Sequence, residues 1–189
     1  MTGNRDAGNA IELALRKSAR GDNPAFAEIV QEHQRMVFSI AYHFLQDRAL
    51  AEDLAQEVFL SLYQHLRDIQ SPEHLKYWLR RVTSHRCIDQ KRRRRQELTL
   101  EEAELPAPEA NTVPNDPMLA ERLQKSVALL PERQRIVVIL RYQEGMGPGE
   151  ISEALNMPVN TVKSTLHRAL ADLRKKLERK IGEARYAFF

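Results

Sequence analysis

Between Gln96 and Pro117 the chain carries six acids and no Lys or Arg. Pro106, Pro108, Pro114 and Pro117 remove backbone donors there. Too few apolar side chains remain to offset the entropy lost on ordering, so the segment 96–117 reads as a linker. Whatever this chain folds into must therefore form on either side of that stretch. Its 189 residues leave room for two small domains.

Both sides read as helical. Aromatics make up 6% of the chain, which disfavours a β-sandwich or barrel, and no segment alternates with period two. Residues 1–9 are expected without order. A first helix is expected from about Ala10 to Arg20, stopping at Gly21. Asn23 as cap and Pro24 in the first turn open a second. It carries Phe26, Ile29, Val30, Val37, Ile40, Ala41 and Phe44 at helical spacing. Asp47 caps a third helix that ends near Leu66, and residues 68–71 read as a loop. Ser71-Pro72 opens a fourth, with Leu75, Trp78, Leu79 and Val82 at i, i+3, i+4 and i+7. Beyond the linker, Asp116-Pro117 caps a helix bearing Leu119, Leu123, Val127 and Leu130. Pro131 starts another, rich in Ile136 to Leu140, and Gly145–Gly149 breaks it. The expected fold is all-α: helical domains at 10–95 and 118–181, joined by a flexible acidic, Pro-rich linker and followed by a tail at 182–189.

Glu150 to Leu173 adds a function class. A short helix, the turn Asn156-Met157-Pro158 and a longer helix make the pattern of a helix-turn-helix. At about 100° per residue, Val162, Leu166, Ala169, Leu170, Leu173 and Leu177 fall in one arc and are expected to be buried. Asn160, Lys163, Ser164, His167, Arg168 and Arg174 lie opposite. The first turns, Val159 to Ser164, are those that reach base edges in such motifs. Lys163 suits guanine or phosphate, and Asn160 or Ser164 a base edge. Lys175, Lys176, Arg179 and Lys180 are placed for phosphates or solvent.

The net charge of +3 hides a sharp pattern. Arg86–Arg95 holds six Lys/Arg against one acid, and residues 158–189 hold eight against three. Two basic segments flanking an acidic one point to two polyanion contacts. Five consecutive cations, Lys91 to Arg95, exceed what a helix dipole asks for and favour phosphate binding. Trp78 is expected in the core, with a base-stacking platform as the competing reading. Cys87 is the only cysteine, so it reads as a small helix residue and not as a nucleophile or metal ligand. No catalytic residue, metal site or cofactor is expected. With no disulfide partner, no signal-peptide pattern and no run of about 20 apolar residues, the reading is a cytoplasmic protein without membrane insertion.

The third helix has one odd face. Leu54, Ala55, Val58, Phe59, Leu62 and Leu66 share an apolar side, while Asp53, Gln56, Glu57 and Leu60 share the other. A leucine inside an acidic stripe is either a stray surface residue or the anchor of a partner site flanked by charge.

Four segments in order carry a family resemblance: AEDLAQEVFLSLYQHL at 51–66, YWLRRVTSHRCIDQKRRRR at 77–95, LPERQRIVVILRY at 130–142 and the helix-turn-helix at 150–173. Together they resemble bacterial RNA polymerase sigma factors of the extracytoplasmic-function (ECF) subfamily, over roughly residues 10–181. The resemblance implies sigma-two and sigma-four domains and a transcription initiation factor that promotes promoter melting and is not an enzyme. It implies core RNA polymerase as partner, through the β′ clamp helices and the β flap, with Asp53, Gln56, Glu57, Phe59 and Leu60 meeting the clamp helices. It implies promoter DNA as a second partner. For the minus-ten element it points to Gln70, Ser71 and His74 in the base-trapping loop, then Arg80, Arg81, Arg86, Lys91, Arg92, Arg93, Arg94 and Arg95. For the minus-thirty-five element it points to Val159, Asn160, Thr161, Lys163, Ser164, His167 and Arg168. It also implies an anti-sigma factor as a third partner. The chain departs from the family at His85, where many relatives have Asn, and at Asn160 and Thr165, where many have Gly and Arg. Two other classes fit parts of the chain: a stand-alone helix-turn-helix regulator, and an enzyme acting on nucleic acid, for which Asp89 alone is a poor centre.

Overall fold

The computed structural model describes residues 3–98 and 117–186, with side chains over 9–96 and 123–177. Every element among the described residues is helical, so the all-α expectation holds. The helices are α1 (Gly3–Ser18), α2 (Asn23–Leu45), α3 (Arg48–Gln64), α4 (Pro72–Leu98), α5 (Pro117–Ala128), α6 (Glu132–Val138), α7 (Pro148–Leu155) and α8 (Val159–Tyr186). A 3-10 turn, Leu66–Asp68, follows α3, and a π-helical turn, Ile139–Gln143, follows α6. The chain divides into two compact units, Met1–Gln90 and Lys91–Phe189. The core of the expected linker, the cap expected at Asp116 and the last three residues of the tail lie outside the described residues.

Three expected boundaries move. α1 starts at Gly3, so the order begins well before Ala10. Once Ala14 and Leu15 are buried, extending the helix toward its N-terminus gains one hydrogen bond per residue fixed, and the polar first turns need no core of their own. At the other end, α4 continues through Gln96 to Leu98 and takes the first residues expected to be linker. The cap of α2 is Asp22 and not Asn23: Asp22 Oδ1 accepts from Ala25 N at 3.0 Å. Both residue types cap well. The turn decides between them, because Gly21 at φ +93° lets Asp22 N donate back to Lys17 O at 3.2 Å, which leaves Asp22 in the extended backbone a cap requires.

Other boundaries fall where expected. Asp47 Oδ1 accepts from Leu50 N at 3.2 Å and opens α3. Ser71 Oγ accepts from His74 N at 3.1 Å and opens α4. α2 stops at Gln46, which sits in the left-handed region at φ 59°. That conformation costs an L residue on the order of 1 kcal/mol. Gln46 offsets it locally, its N–H donating to Tyr42 O at 2.9 Å and its Nε2 to His43 O at 2.8 Å.

In the first unit, Ile29, Val37, Ile40 and Phe44 of α2 meet Ala51, Leu54, Val58 and Leu62 of α3, all buried. Each large side chain so buried contributes roughly 1.5–3 kcal/mol. The buried positions of α4 are Leu75, Leu79, Thr83, Ser84 and Cys87. Steps of four advance about 40° around a helix, so this stripe winds instead of keeping one face. Val82 and Trp78, expected beside Leu75 and Leu79, are only half-buried.

In the second unit, Leu130, Val138, Ala169 and Leu173 form a buried cluster with Val127 against it. Polar ties fix the helices around it. Buried Arg135 donates to Leu130 O at 3.1 Å and also to Ala128 O, which satisfies carbonyls at the end of α5. Gln134 Nε2 reaches Asp172 Oδ2 at 3.1 Å, joining α6 to α8. Lys176 Nζ donates to Leu129 O at 2.8 Å, so this cation, expected to face phosphate or solvent, is engaged within the fold.

Candidate functional site

The helix-turn-helix is built from α7, the turn and α8. Glu150 Oε2 accepts from Gly147 N at 2.6 Å and secures the start of α7. Asn156 takes the left-handed conformation at φ 51°, a role its short polar side chain tolerates. Met157 N then donates to Ser152 O at 2.9 Å and Ser152 Oγ to Met157 O, so the turn is pinned from both directions. Among the described side chains of α8, Val162, Thr165, Ala169 and Leu173 are buried.

That burial corrects the expected arc. Leu170 is 44% exposed, whereas Thr165 is 5% exposed. The buried face is rotated by about 50° toward Thr165 from the arc the leucines suggested. Thr165, a departure from the family pattern, therefore faces the core and is not among the groups offered to a ligand. The outward residues are Val159, Asn160, Lys163, Ser164, His167 and Arg168, with Thr161 half-buried at the edge. Within this set Arg168 Nε donates to Ser164 O at 3.3 Å, and Ser164 Oγ donates to Thr161 O at 3.1 Å. Ser164 and Arg168 are preorganised by each other, while Asn160 and Lys163 project outward without a bond among the described residues.

The loop before α4 has a different economy. His74 Nδ1 accepts from Gln70 N at 3.2 Å while Ser71 Oγ accepts from His74 N. Two of the three expected base-trapping side chains thus close the loop on the helix start in a reciprocal cap. They set its shape, and the Gln70 side chain remains exposed. Trp78 is half-buried beside His65, ring centroids 6.1 Å apart. Arg81, Arg92, Arg93 and Arg95 are exposed, and Arg80, Arg86, Lys91 and Arg94 half-buried. Cys87 is buried, and burial pushes its thiol far above the usual range, so it stays protonated. Among the described residues, no three His, Cys, Asp or Glu side chains gather as a metal site.

The third surface is the outer face of α3. Leu60 is 65% exposed, and Asp53, Gln56 and Glu57 are exposed around it. Glu52 pairs with Arg48 at 2.9 Å. Glu57 pairs with Arg86 of α4 at 2.6 Å. Asp53 has no ion-pair partner among the described residues. Phe59 does not share the stripe: it is 8% exposed because its register places it with Val58 and Leu62. It lines a groove of about 690 Å³ between α2 and α3, which Phe26, Val30, Phe38, Gln56 and Leu60 also border. The α2 wall of that groove escaped the sequence reading, since half-buried aromatics on an amphipathic helix look like ordinary core.

Comparison with known proteins decides the family. Residues 29–97 match Sigma-70 region 2 and residues 120–173 match Sigma-70, region 4. The ECF RNA polymerase sigma factor SigW of Bacillus subtilis is 30% identical, the alignment covering 88% of this chain and 96% of SigW. The chain is an ECF sigma factor. SigE of Mycolicibacterium smegmatis, also an ECF sigma factor, is 33% identical over 87% of the chain and 67% of SigE. The fold matches that of Bartonella quintana RpoE, solved with the anti-sigma factor NepR, at a TM-score of 0.72 and 19% identity, covering 81% of this chain and 96% of RpoE. It also matches CnrH, solved with the cytosolic domain of CnrY, at 0.65 and 22% identity, over 90% and 98% of the two chains. The region 2 match spans the α3 stripe and the α4 cations, and the region 4 match ends at the last buried leucine of the helix-turn-helix. This sigma factor thus acts in transcription initiation. No helix among its described residues is long and apolar enough to cross a membrane.

Proposed function

We propose that this sigma factor holds core RNA polymerase through the α3 stripe and the promoter through two separate elements. The observation that carries the first half is Leu60, 65% exposed, with Asp53, Gln56 and Glu57 around it. An exposed apolar anchor ringed by carboxylates suits a basic, amphipathic partner helix, and the β′ clamp helices take that role here. The adjoining groove offers Phe59 and Phe26 to the same partner from its floor.

The loop around Gln70 and the cations of α4 engage the minus-ten element. Capture of an unstacked base by that loop offsets part of an unstacking cost of a few kcal/mol, and Arg81, Arg92, Arg93 and Arg95 are exposed for the phosphates. Asn160 and Lys163 at the start of α8 read the minus-thirty-five element in the major groove, and Arg168, held by Ser164, positions it on the backbone. The division into a sigma-two domain at 10–95 and a sigma-four domain at 118–181 follows from this assignment, as does a β flap contact for the second. An anti-sigma factor is a further partner, by analogy with the RpoE–NepR complex.

The test is direct. Asp53→Arg with Glu57→Arg changes only exposed residues, so the protein keeps its helical circular dichroism. It should lose binding to core polymerase by more than about thirtyfold, as expected for two charges reversed around a hot spot. Unchanged affinity would remove the stripe from the interface.

A further inference from the structure

We propose that the Glu57–Arg86 ion pair couples the two partner surfaces, so that core polymerase and promoter DNA each release a residue the other needs. The inference rests on the reading of α3 as the polymerase surface and α4 as the minus-ten surface.

The geometry is specific. Arg86 Nη1 lies 2.6 Å from Glu57 Oε2, across 29 residues of sequence. The two side chains are 36% and 61% exposed. Arg86 stands only about 20° around α4 from Leu75, the first residue of its buried stripe. It therefore projects toward the α2–α3 side of the helix and not straight out with Arg81. Its guanidinium satisfies a carboxylate of the polymerase stripe before any partner arrives.

The energetics follow from charge alone. A cation of the polymerase approaching Glu57 meets Arg86 already there and is repelled by it. A phosphate approaching Arg86 meets Glu57 and is repelled in turn. The pair must be surrendered once for either partner, and the first partner to break it spares the second that cost. This is positive coupling between two sites with an identified shared element, and it must be reciprocal. An exposed pair of this kind limits the coupling to about two- to fivefold, larger at low salt.

Four proteins test it in full length: the parent, Arg86→Gln, Glu57→Gln and the double variant. Affinity for core polymerase without DNA is measured by fluorescence titration at low and high salt. Arg86→Gln should bind core about two- to fivefold more tightly at low salt, with the gain fading as salt rises. That sign is opposite to the loss expected from removing a positive charge that serves only DNA. In the absence of polymerase, Glu57→Gln should bind a fluorescent minus-ten single strand about two- to fivefold more tightly. In the double variant that gain should vanish, since no Arg86 is left to release. Equal core affinity for Arg86→Gln and the parent, or a Glu57→Gln gain that persists without Arg86, overturns the coupling. The two readings fail differently. If the double charge reversal at Asp53 and Glu57 destroys core binding while Arg86→Gln does not improve it, only the coupling falls. If the charge reversal leaves core binding intact, the stripe assignment falls with it.

Discussion

Helices α4 and α8 are the two long basic helices of this sigma factor, and they partition their residues in contrasting ways. In α8 the buried positions Val162, Thr165, Ala169 and Leu173 keep to one face, and Asn160, Lys163, Ser164, His167 and Arg168 keep to the other. In α4 the buried positions Leu75, Leu79, Thr83, Ser84 and Cys87 wind around the axis, and Arg86 sits on the packed side. A helix that reads a groove must present one rigid polar face. Arg86 of α4 reaches Glu57 of α3, and a helix whose buried stripe winds has no single polar face to keep. The contrast is that Lys163 at the start of α8 points outward, while Arg86 of α4 is shared with α3.

If the winding stripe is the true packing of α4, Leu79→Ala should cost about 2–5 kcal/mol, because it empties a fully buried site between helices. Trp78 is the only tryptophan and lies in the first unit, so the urea midpoint of its fluorescence reports this loss. Leu170→Ala is the counterpart in α8. Its leucine belongs to the arc the sequence suggests, but it is 44% exposed, and its loss should cost well under about 1 kcal/mol. Comparable costs for the two would mean that α8 is buried on its leucine side after all.

Next in size is Arg135→Met, which keeps the bulk and removes the bonds to Ala128 O and Leu130 O. Hydrogen bonds from a charged donor are worth about 1.5–3 kcal/mol, and the melting transition of the second unit, followed by circular dichroism, should fall accordingly. An unchanged transition would show that the end of α5 is held without the Arg135 bonds, by apolar packing and Lys176.

A pair of substitutions then probes the outward face of α8. Lys163→Ala should lower holoenzyme affinity for promoters by about 1–3 kcal/mol and alter preference at one upstream base pair. Thr165→Val, at a position 5% exposed, should leave that preference untouched. Uniform loss across promoter variants for Lys163→Ala would reduce it to a phosphate contact, and a change of preference with Thr165→Val would contradict the rotated face.

These residues also mark where sequence stops being sufficient. Caps at Asp47 and Ser71, the all-helical composition and the exposed Leu60 were legible because each depends on neighbours within four residues. The choice of Asp22 over Asn23 was not, because a left-handed Gly21 set the register. The rotation of α8 is not legible in the leucine spacing, because that spacing counts hydrophobicity and passes over the buried polar Thr165. Arg135 carries no expectation from the sequence, Lys176 is expected at phosphate or solvent, and Arg86 at DNA. Their partners lie 5, 47 and 29 residues away and no local period encodes them. Ser71 and His74, which the resemblance points to DNA, also shape the loop through their hydrogen bonds.

The smallest effect concerns pH and the first unit. His33 is buried on α2 beneath α4, and burial lowers its pKa from the ordinary 6.5, with Lys76 and Arg80 lowering it further against an opposing Glu32. Burial lowers His43 as well. A histidine whose pKa is lower in the folded state binds fewer protons there than in the unfolded chain. Its contribution is therefore complete above pH 6.5 and is lost as pH falls through the lower folded value. The urea midpoint of Trp78 fluorescence should accordingly fall between pH 7.5 and pH 5.5, and His33→Gln should flatten that fall, with His43→Gln added to it flattening it further. A first unit whose midpoint drops equally with and without His33 would place the acid sensitivity in its carboxylates, and would mean that α4 does not close over His33 as tightly as its 3% exposure indicates.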